Sequence, residues 1–173
     1  MSHHIRPARP AEFATLGRLL VDAYQRLPGM PDAREQPAYY AMLADVAARA
    51  RNPAITVFVA AADDDDAPLG CVDFIGDLAA YGAAAELAAH GDAAGLRLLA
   101  VRPDARGRGI GLALTQHCLD EARARGKRGV VLHTTRAMTT AWRLYERLGF
   151  QRCSEIDFRQ GRLEVLGFRL RFG

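Results

Sequence analysis

The sequence predicts a mixed α/β fold: a largely antiparallel sheet of about seven strands flanked by helices, in the order β-α-α-β-β-β-α-β-α-β-β. Three observations carry this. Short β-branched or apolar runs alternate with longer stretches of helical period. Successive strands near the start are joined by tight turns, whereas a long helix follows the apolar run at 96–101, as a crossover between strands requires. Half of the 173 residues are hydrophobic, enough to bury a sizeable core, and the length suits one domain over residues 1–173.

Taken in order, residues 5–8 read as a first strand. Pro10 and Glu12 open an amphipathic helix with Phe13, Leu16, Leu19, Leu20 and Ala23 on one face, and Pro28, Gly29 and Pro31 mark a loop. A second helix spans 39–50 and stops at Asn52-Pro53. Residues 55–61 form a β-branched strand, Asp63 to Asp66 lie in a hairpin turn, and 70–75 return. The four acids lack any regular ligand spacing and read as a solvated turn. The stretch 78–94 is rich in Ala and Gly, and its pattern does not choose between helix and loop. Residues 96–101 are an apolar strand broken only by Arg97. A helix over 110–125 follows, with a stripe of Leu112, Leu114, Cys118, Leu119 and Ala122, ended by Gly126. Then come a strand at 129–134, a helix at 138–148 ended by Gly149, and strands at 152–158 and 163–172 turned at Gln160-Gly161.

Composition excludes several classes. The net charge is +3 and the basic residues are dispersed, without interleaved aromatics, so no nucleic-acid partner is expected. No apolar run is long enough to cross a bilayer and the start lacks a secretory signal, so a cytoplasmic protein with no membrane partner is expected. Cys71, Cys118 and Cys153 are odd in number and fit no zinc or redox spacing; they read as small buried hydrophobes, and no metal is expected.

The chemistry concentrates in Arg106, Gly107, Arg108, Gly109, Ile110, Gly111 and Leu112. Here a strand runs into a turn with alternating glycines and a helix begins. The first turn of a helix has unpaired N–H groups and a partial positive charge, and glycines let an anion approach them. Arg106 and Arg108 add forked donors for phosphate oxygens. The Lys-Ser/Thr end of a Walker loop is missing, and Leu112 stands where a dinucleotide fingerprint needs its third glycine. A glycine-rich turn that merely starts a helix stays open as the alternative. On the later helix Met138, Ala141, Trp142, Leu144, Tyr145 and Leu148 share a face, which turns Tyr145 inward; by period alone it reads as a core tyrosine.

Together these segments resemble the GNAT superfamily of N-acyltransferases. The Arg-x-x-Gly-x-Gly signature stands as Arg106-Gly107-Arg108-Gly109-Ile110-Gly111. It is preceded by Leu99-Ala100-Val101-x-Pro103 and followed by Ala141-x-x-Leu144-Tyr145-x-x-Leu148-Gly149-Phe150. The strong resemblance covers residues 95–151. It implies transfer of an acetyl group from acetyl-CoA to a primary amine by direct attack on the thioester. It further implies that the strand at Leu99, Ala100 and Val101 splays from its neighbour, pairs with the pantetheine arm and offers an N–H to the oxyanion. The amides of Arg106 to Leu112 would hold the diphosphate, and Tyr145 would protonate the departing thiolate. Relatives often carry a glutamate just before or within the strand ending at Val101, but Gly95-Leu96-Arg97-Leu98 has no acid. The general base therefore stays open among Glu86, His90, Asp92 and water, with His133 a weaker candidate. A non-catalytic acyl-CoA-binding or regulatory module is the alternative function. The acceptor, a small-molecule or peptide amine, should meet residues 13–50 and 78–94, where Tyr24, Tyr39, Tyr40 and Tyr81 are candidate pocket residues. Such folds commonly form homodimers.

Overall fold

The computed structural model describes residues 2–82, 87 and 90–173. Its strands are β1 (His3–Pro7), β2 (Ile55–Ala62), β3 (Pro68–Ile75), β4 (Ala94–Val101), β5 (Gly129–Thr134), β6 (Gln151–Arg152), β7 (Phe158–Gln160) and β8 (Leu163–Arg171). They form one sheet in the order β1-β2-β3-β4-β5-β8-β6, with β7 added on β8. Every pairing is antiparallel except β4 with β5. The helices among the described residues are α1 (Phe13–Gln25), α2 (Pro37–Ala44), α3 (Val46–Ala50), α4 (Ile110–Ala124) and α5 (Thr139–Arg147). None of them is long and apolar enough to cross a membrane.

Alternation along β2 sorts the core into two layers. Val57, Val59 and Ala61 face α1 and α2, where they meet Leu16, Leu20 and Leu43. Phe58, Ala60 and Ala62 face the opposite layer with Phe74, Leu114, Leu132 and Phe168. Each fully buried Leu or Phe side chain stabilises the fold by about 1.5–3 kcal/mol. In α1 the buried residues Leu16, Leu20 and Tyr24 recur every fourth position, the period expected of a helix lying on a sheet.

Three expectations need correction. The single helix over 39–50 is two, broken at Asp45, where ψ is 69°; the Asp45 carboxylate accepts the Ala48 N–H at 2.8 Å and caps α3. The strand over 152–158 is interrupted by a 3-10 turn, Ser154–Ile156, which gives eight strands. Ile156 packs over Gly167, where a Cβ would fall 2.1 Å from its side chain, and the Asp157 carboxylate accepts the Gly167 N–H at 2.7 Å. These contacts pull the chain off the ladder. Leu112 is 38% exposed and lies outside the α4 stripe, which is built on Ile110, Leu114, Cys118 and Ala122 at four-residue steps with Leu119 beside them. The acidic turn at Asp63 to Asp66 is used by β1: Asp66 pairs with Arg6 at 3.0 Å and with Arg9, and Arg6 reaches Glu12 at 2.7 Å.

Candidate active site

After β4 the chain makes a 3-10 turn, Pro103–Ala105, and then the glycine loop. Gly107 and Gly109 adopt φ of 74° and 80°, in the left-handed region that excludes most side chains, and Gly109 caps α4. The helical ladder begins with Ala113 N–H to Gly109 O at 2.9 Å, so the amides just before it have no partner within the helix. A Cβ at either glycine meets nothing within 4 Å, which makes the helix tip an open cradle. Arg106 Nε donates to Val101 O at 3.3 Å, folding that guanidinium back beside the strand end. Arg102 is occupied by Asp104 at 3.0 Å, whereas Arg108 is exposed.

The strand leading to this loop changes its pairing halfway. β4 matches β5 only at Ala94, Gly95 and Leu96, opposite Val130, Val131 and Leu132, although β4 continues to Val101 and β5 to Thr134. The parting coincides with a bulge. Across β3 the register moves from Asp73↔Arg97 to Cys71↔Ala100, and Leu98 takes a φ of 56°. The extra residue reverses side-chain parity. Leu96 lies in the α4 layer, Leu98 and Ala100 lie in the α1 layer, and Leu99 and Val101 return to α4. A wedge opens between the two strands, and its mouth lies beneath the tip of α4. A Cβ on Gly111 would stand 3.7–3.9 Å from Leu144, Val101 and Leu99.

Tyr145 is fixed by the way α5 ends. Gly149 at φ 89° lets Phe150 N–H reach Tyr145 O at 3.0 Å and Gly149 N–H reach Glu146 O at 3.0 Å. The Phe150 ring then packs against Tyr145 with centroids 5.7 Å apart. Thus Tyr145 and the Leu148-Gly149-Phe150 that follow it act as one device. Tyr145 is buried, and burial pushes its phenol well above the usual value of 10, with Tyr81 and Cys118 adding to the shift and no hydrogen bond opposing it.

On the far side of the wedge lies a cavity of about 270 Å³ whose walls include Tyr24, Tyr39, Tyr81, Arg97, Leu98, His133, Thr134, Met138 and Phe158. Three of the four tyrosines singled out in the sequence line it; Tyr40 instead donates to Pro31 O at 2.9 Å. Burial raises Tyr24 and Tyr81, and pushes Tyr39 up to about 12, with the Arg97 charge opposing each shift. Gly95 makes room for this wall: a Cβ there would sit 2.4 Å from the Tyr81 ring. His133 Nε2 donates to Ile156 O at 2.6 Å, its Nδ1 lies 3.0 Å from the Tyr81 hydroxyl, and its ring stacks edge-on with Phe158 at 5.0 Å. Thr134 is 2% exposed and its hydroxyl has no partner among the described residues. A wider vestibule outside shares Met30, Thr135 and Leu163 with the cavity.

The base candidates separate. Glu86 lies outside the described residues. His90 and Asp92 are taken by Arg169, at 2.7 Å and 3.5 Å, and line neither cavity nor wedge. His90 is held below its ordinary value by burial and by Arg169. Sequence reasoning missed the contribution of β7 and β8, which supply Phe158, Leu163 and Val165 to the wall; no local motif marks them. The buried hydroxyl of Thr134 is visible only in the fold.

The family model described as Acetyltransferase (GNAT) family matches residues 16–150. The chain belongs to that family. At the level of that family, the activity is transfer of an acetyl group from acetyl-CoA. It is 47% identical over 55 residues to a mycothiol acetyltransferase of Thermobispora bispora, a match over 32% of this chain and 19% of that protein. The chain therefore spans about a fifth of the length of that curated relative. Among solved structures, a GNAT-family acetyltransferase of Staphylococcus aureus Mu50 superposes with a TM-score of 0.73 at 15% identity, covering 98% of this chain and 99% of that one. The PaiA N-acetyltransferase of Thermoplasma acidophilum, solved in complex with coenzyme A, gives 0.72 at 16%, covering 96% and 98%. The ribosomal-protein-S18-alanine N-acetyltransferase of Escherichia coli gives 0.62 at 20%, covering 98% and 94%. At these identities the likeness is one of fold.

Proposed function

We propose that the acceptor is a primary amine that enters the aromatic cavity and meets the acetyl thioester in the wedge between β4 and β5. The observation that carries this reading is the parting of these strands after Leu96 and Leu132, which leaves strand backbone bare between an open helix tip and a cavity. Acetyl-CoA supplies the activated carbonyl. The bare amides of Gly107 to Leu112, with the Arg106 and Arg108 guanidiniums, bind its diphosphate, while the Arg106 N–H is already given to Pro103 O at 3.4 Å. The backbone of Leu99, Ala100 and Val101 takes the extended arm as an added strand would, and an N–H there polarises the carbonyl. Tyr145, neutral because it is buried, donates its proton toward the departing sulfur.

No Asp or Glu among the described residues lines the cavity, so nothing there holds an ammonium ion. The amine enters neutral, having lost its proton to solvent. Tyr145 gives its proton to the coenzyme A thiolate, one of the amine's two protons is released and restores the Tyr145 phenol through solvent, and the other stays on the amide nitrogen. The His133–Tyr81 contact positions the Tyr81 ring at the wall. Calorimetry with coenzyme A, followed by a thiol-release assay over a panel of amines, tests the reading. Micromolar binding and turnover of a primary amine are expected. Absence of any heat with coenzyme A or acetyl-CoA overturns it.

A further inference from the structure

Arg97 interrupts an otherwise apolar strand and faces the cavity. We infer that Arg97 receives a carboxylate of the acceptor, so that the substrates are free amino acids with apolar or aromatic side chains; this rests on the placement of the amine in the cavity proposed above.

The side chain is held, and among the described residues some of its donors have no partner. Its Nη1 donates to the Tyr81 carbonyl oxygen, and its guanidinium lies over the Tyr81 ring with 5.2 Å from Cζ to the centroid. No carboxylate lies within ion-pair distance of it among the described residues, although Asp73 is its partner across the ladder. Asp73 is spent on Arg49, at 2.7 Å from Nε, and is buried behind the cavity. The group Arg49, Asp73 and Arg97 thus carries one net positive charge, and Arg97 is its least buried member. A half-buried cation on an apolar wall, with donors unused, is a demand for an anion.

The remaining groups agree. His133 is the other basic side chain at the wall, and Tyr24, Tyr39 and Tyr81 are held neutral by burial. Thr134 lines the same cavity, and its buried hydroxyl has no partner among the described residues. At the mouth, Glu164 is shared by Arg136 at 3.9 Å and Arg159 at 3.6 Å, and Arg162 joins them opposite Glu35. A polycationic amine is repelled along this whole path. An α-amino acid brings a carboxylate for Arg97, an amine beside it for the wedge, and an apolar body for the tyrosines. The charge on Arg97 also favours the neutral form of the amine. A peptide N-terminus lacks the carboxylate next to its amine and leaves the guanidinium unanswered.

The test measures kcat/KM for phenylalanine, leucine and methionine, each against its amide and its decarboxylated amine, corrected to equal neutral amine. Wild type and the variants Arg97→Met and Arg97→Lys are compared, with coenzyme A affinity by calorimetry alongside. The expected result is a preference of about tenfold to hundredfold for the free acids, as a charge-assisted bond implies. Arg97→Met should remove that preference while coenzyme A affinity stays within about twofold, and Arg97→Lys should restore part of it. Equal or better use of the amides or decarboxylated amines overturns the inference, as does an equal loss by Arg97→Met on all three classes. If coenzyme A binds and none of the nine compounds is acetylated, the inference fails and the cofactor reading stands. If coenzyme A does not bind, both fall.

Discussion

On the proposed reading, the two halves of the site are built in opposite ways. The cofactor half is made of backbone: a helix tip, left-handed glycines and a strand edge, all drawn from residues 97–112. The acceptor half is made of side chains from α1, α2, the turn after β3, β4, β5 and the β7–β8 hairpin. Backbone donors can serve any member of a family because their geometry does not depend on which residues surround them. Side chains gathered from six segments can change one at a time. On this proposal, binding of a shared cofactor and choice of an acceptor occupy physically separate parts of one fold.

The sharpest way to break this contrast is Gly109→Asp. It adds bulk and negative charge at the helix cap, where the open cradle has room for an anion and φ is 80°. Coenzyme A affinity should fall by at least about a hundredfold; calorimetry showing intact affinity would move the diphosphate elsewhere. Next comes Tyr145→Phe, which removes a proton donor and no cradle. Turnover should fall by about a hundredfold while coenzyme A affinity changes less than about twofold, and an unchanged turnover would return Tyr145 to the core.

A third expectation joins the two halves. Tyr145 on one side and Tyr24 and Tyr81 on the other all have phenols raised by burial. Below pH 10 they are neutral in both the folded and unfolded chain, so their contribution to stability is fully present. As pH rises past 10 the unfolded chain ionises first and the folded chain keeps its protons. Stability should therefore fall by up to about 1.4 kcal/mol per pH unit for each tyrosine. Urea unfolding at pH 9, 10 and 11 reads this, and Tyr24→Phe should flatten the slope; a flat profile in the wild type would contradict the burial. The smallest effect belongs to Gly111→Ala. Its Cβ meets Leu144, Val101 and Leu99 at ordinary contact distance. Helix propensity should raise Tm by about 2–4 °C, with coenzyme A affinity within roughly threefold. A larger loss of affinity would place the pantetheine arm directly against Gly111.

Much of the cofactor half was legible in the chain. Arg106 to Leu112 sit together, and the Gly149-Phe150 end of α5 that seats Tyr145 is five residues away from it. The strand parting was implied only by family resemblance, and its cause, the extra residue at Leu98, has no sequence marker. The acceptor half was half-read: Tyr24, Tyr39 and Tyr81 lie in the regions expected to meet the acceptor, but Phe158 and Val165 come from the two final strands, which the sequence did not link to the acceptor. His90 and Asp92 misled because nearness in sequence placed them before β4, whereas Arg169 on β8 had already claimed them.

By itself the sequence determined the alternation that layers the sheet, the glycines that bare the helix tip, and the family they mark. Those features are local, fixed by φ, by period and by neighbours a few residues apart. Only the tertiary structure decided that Arg97 has no carboxylate partner among the described residues, because Asp73 opposite it is bound by Arg49, and that aromatic side chains line the same cavity. Charge balance in a cavity is a sum over segments distant in the chain, and folding alone brings its members together.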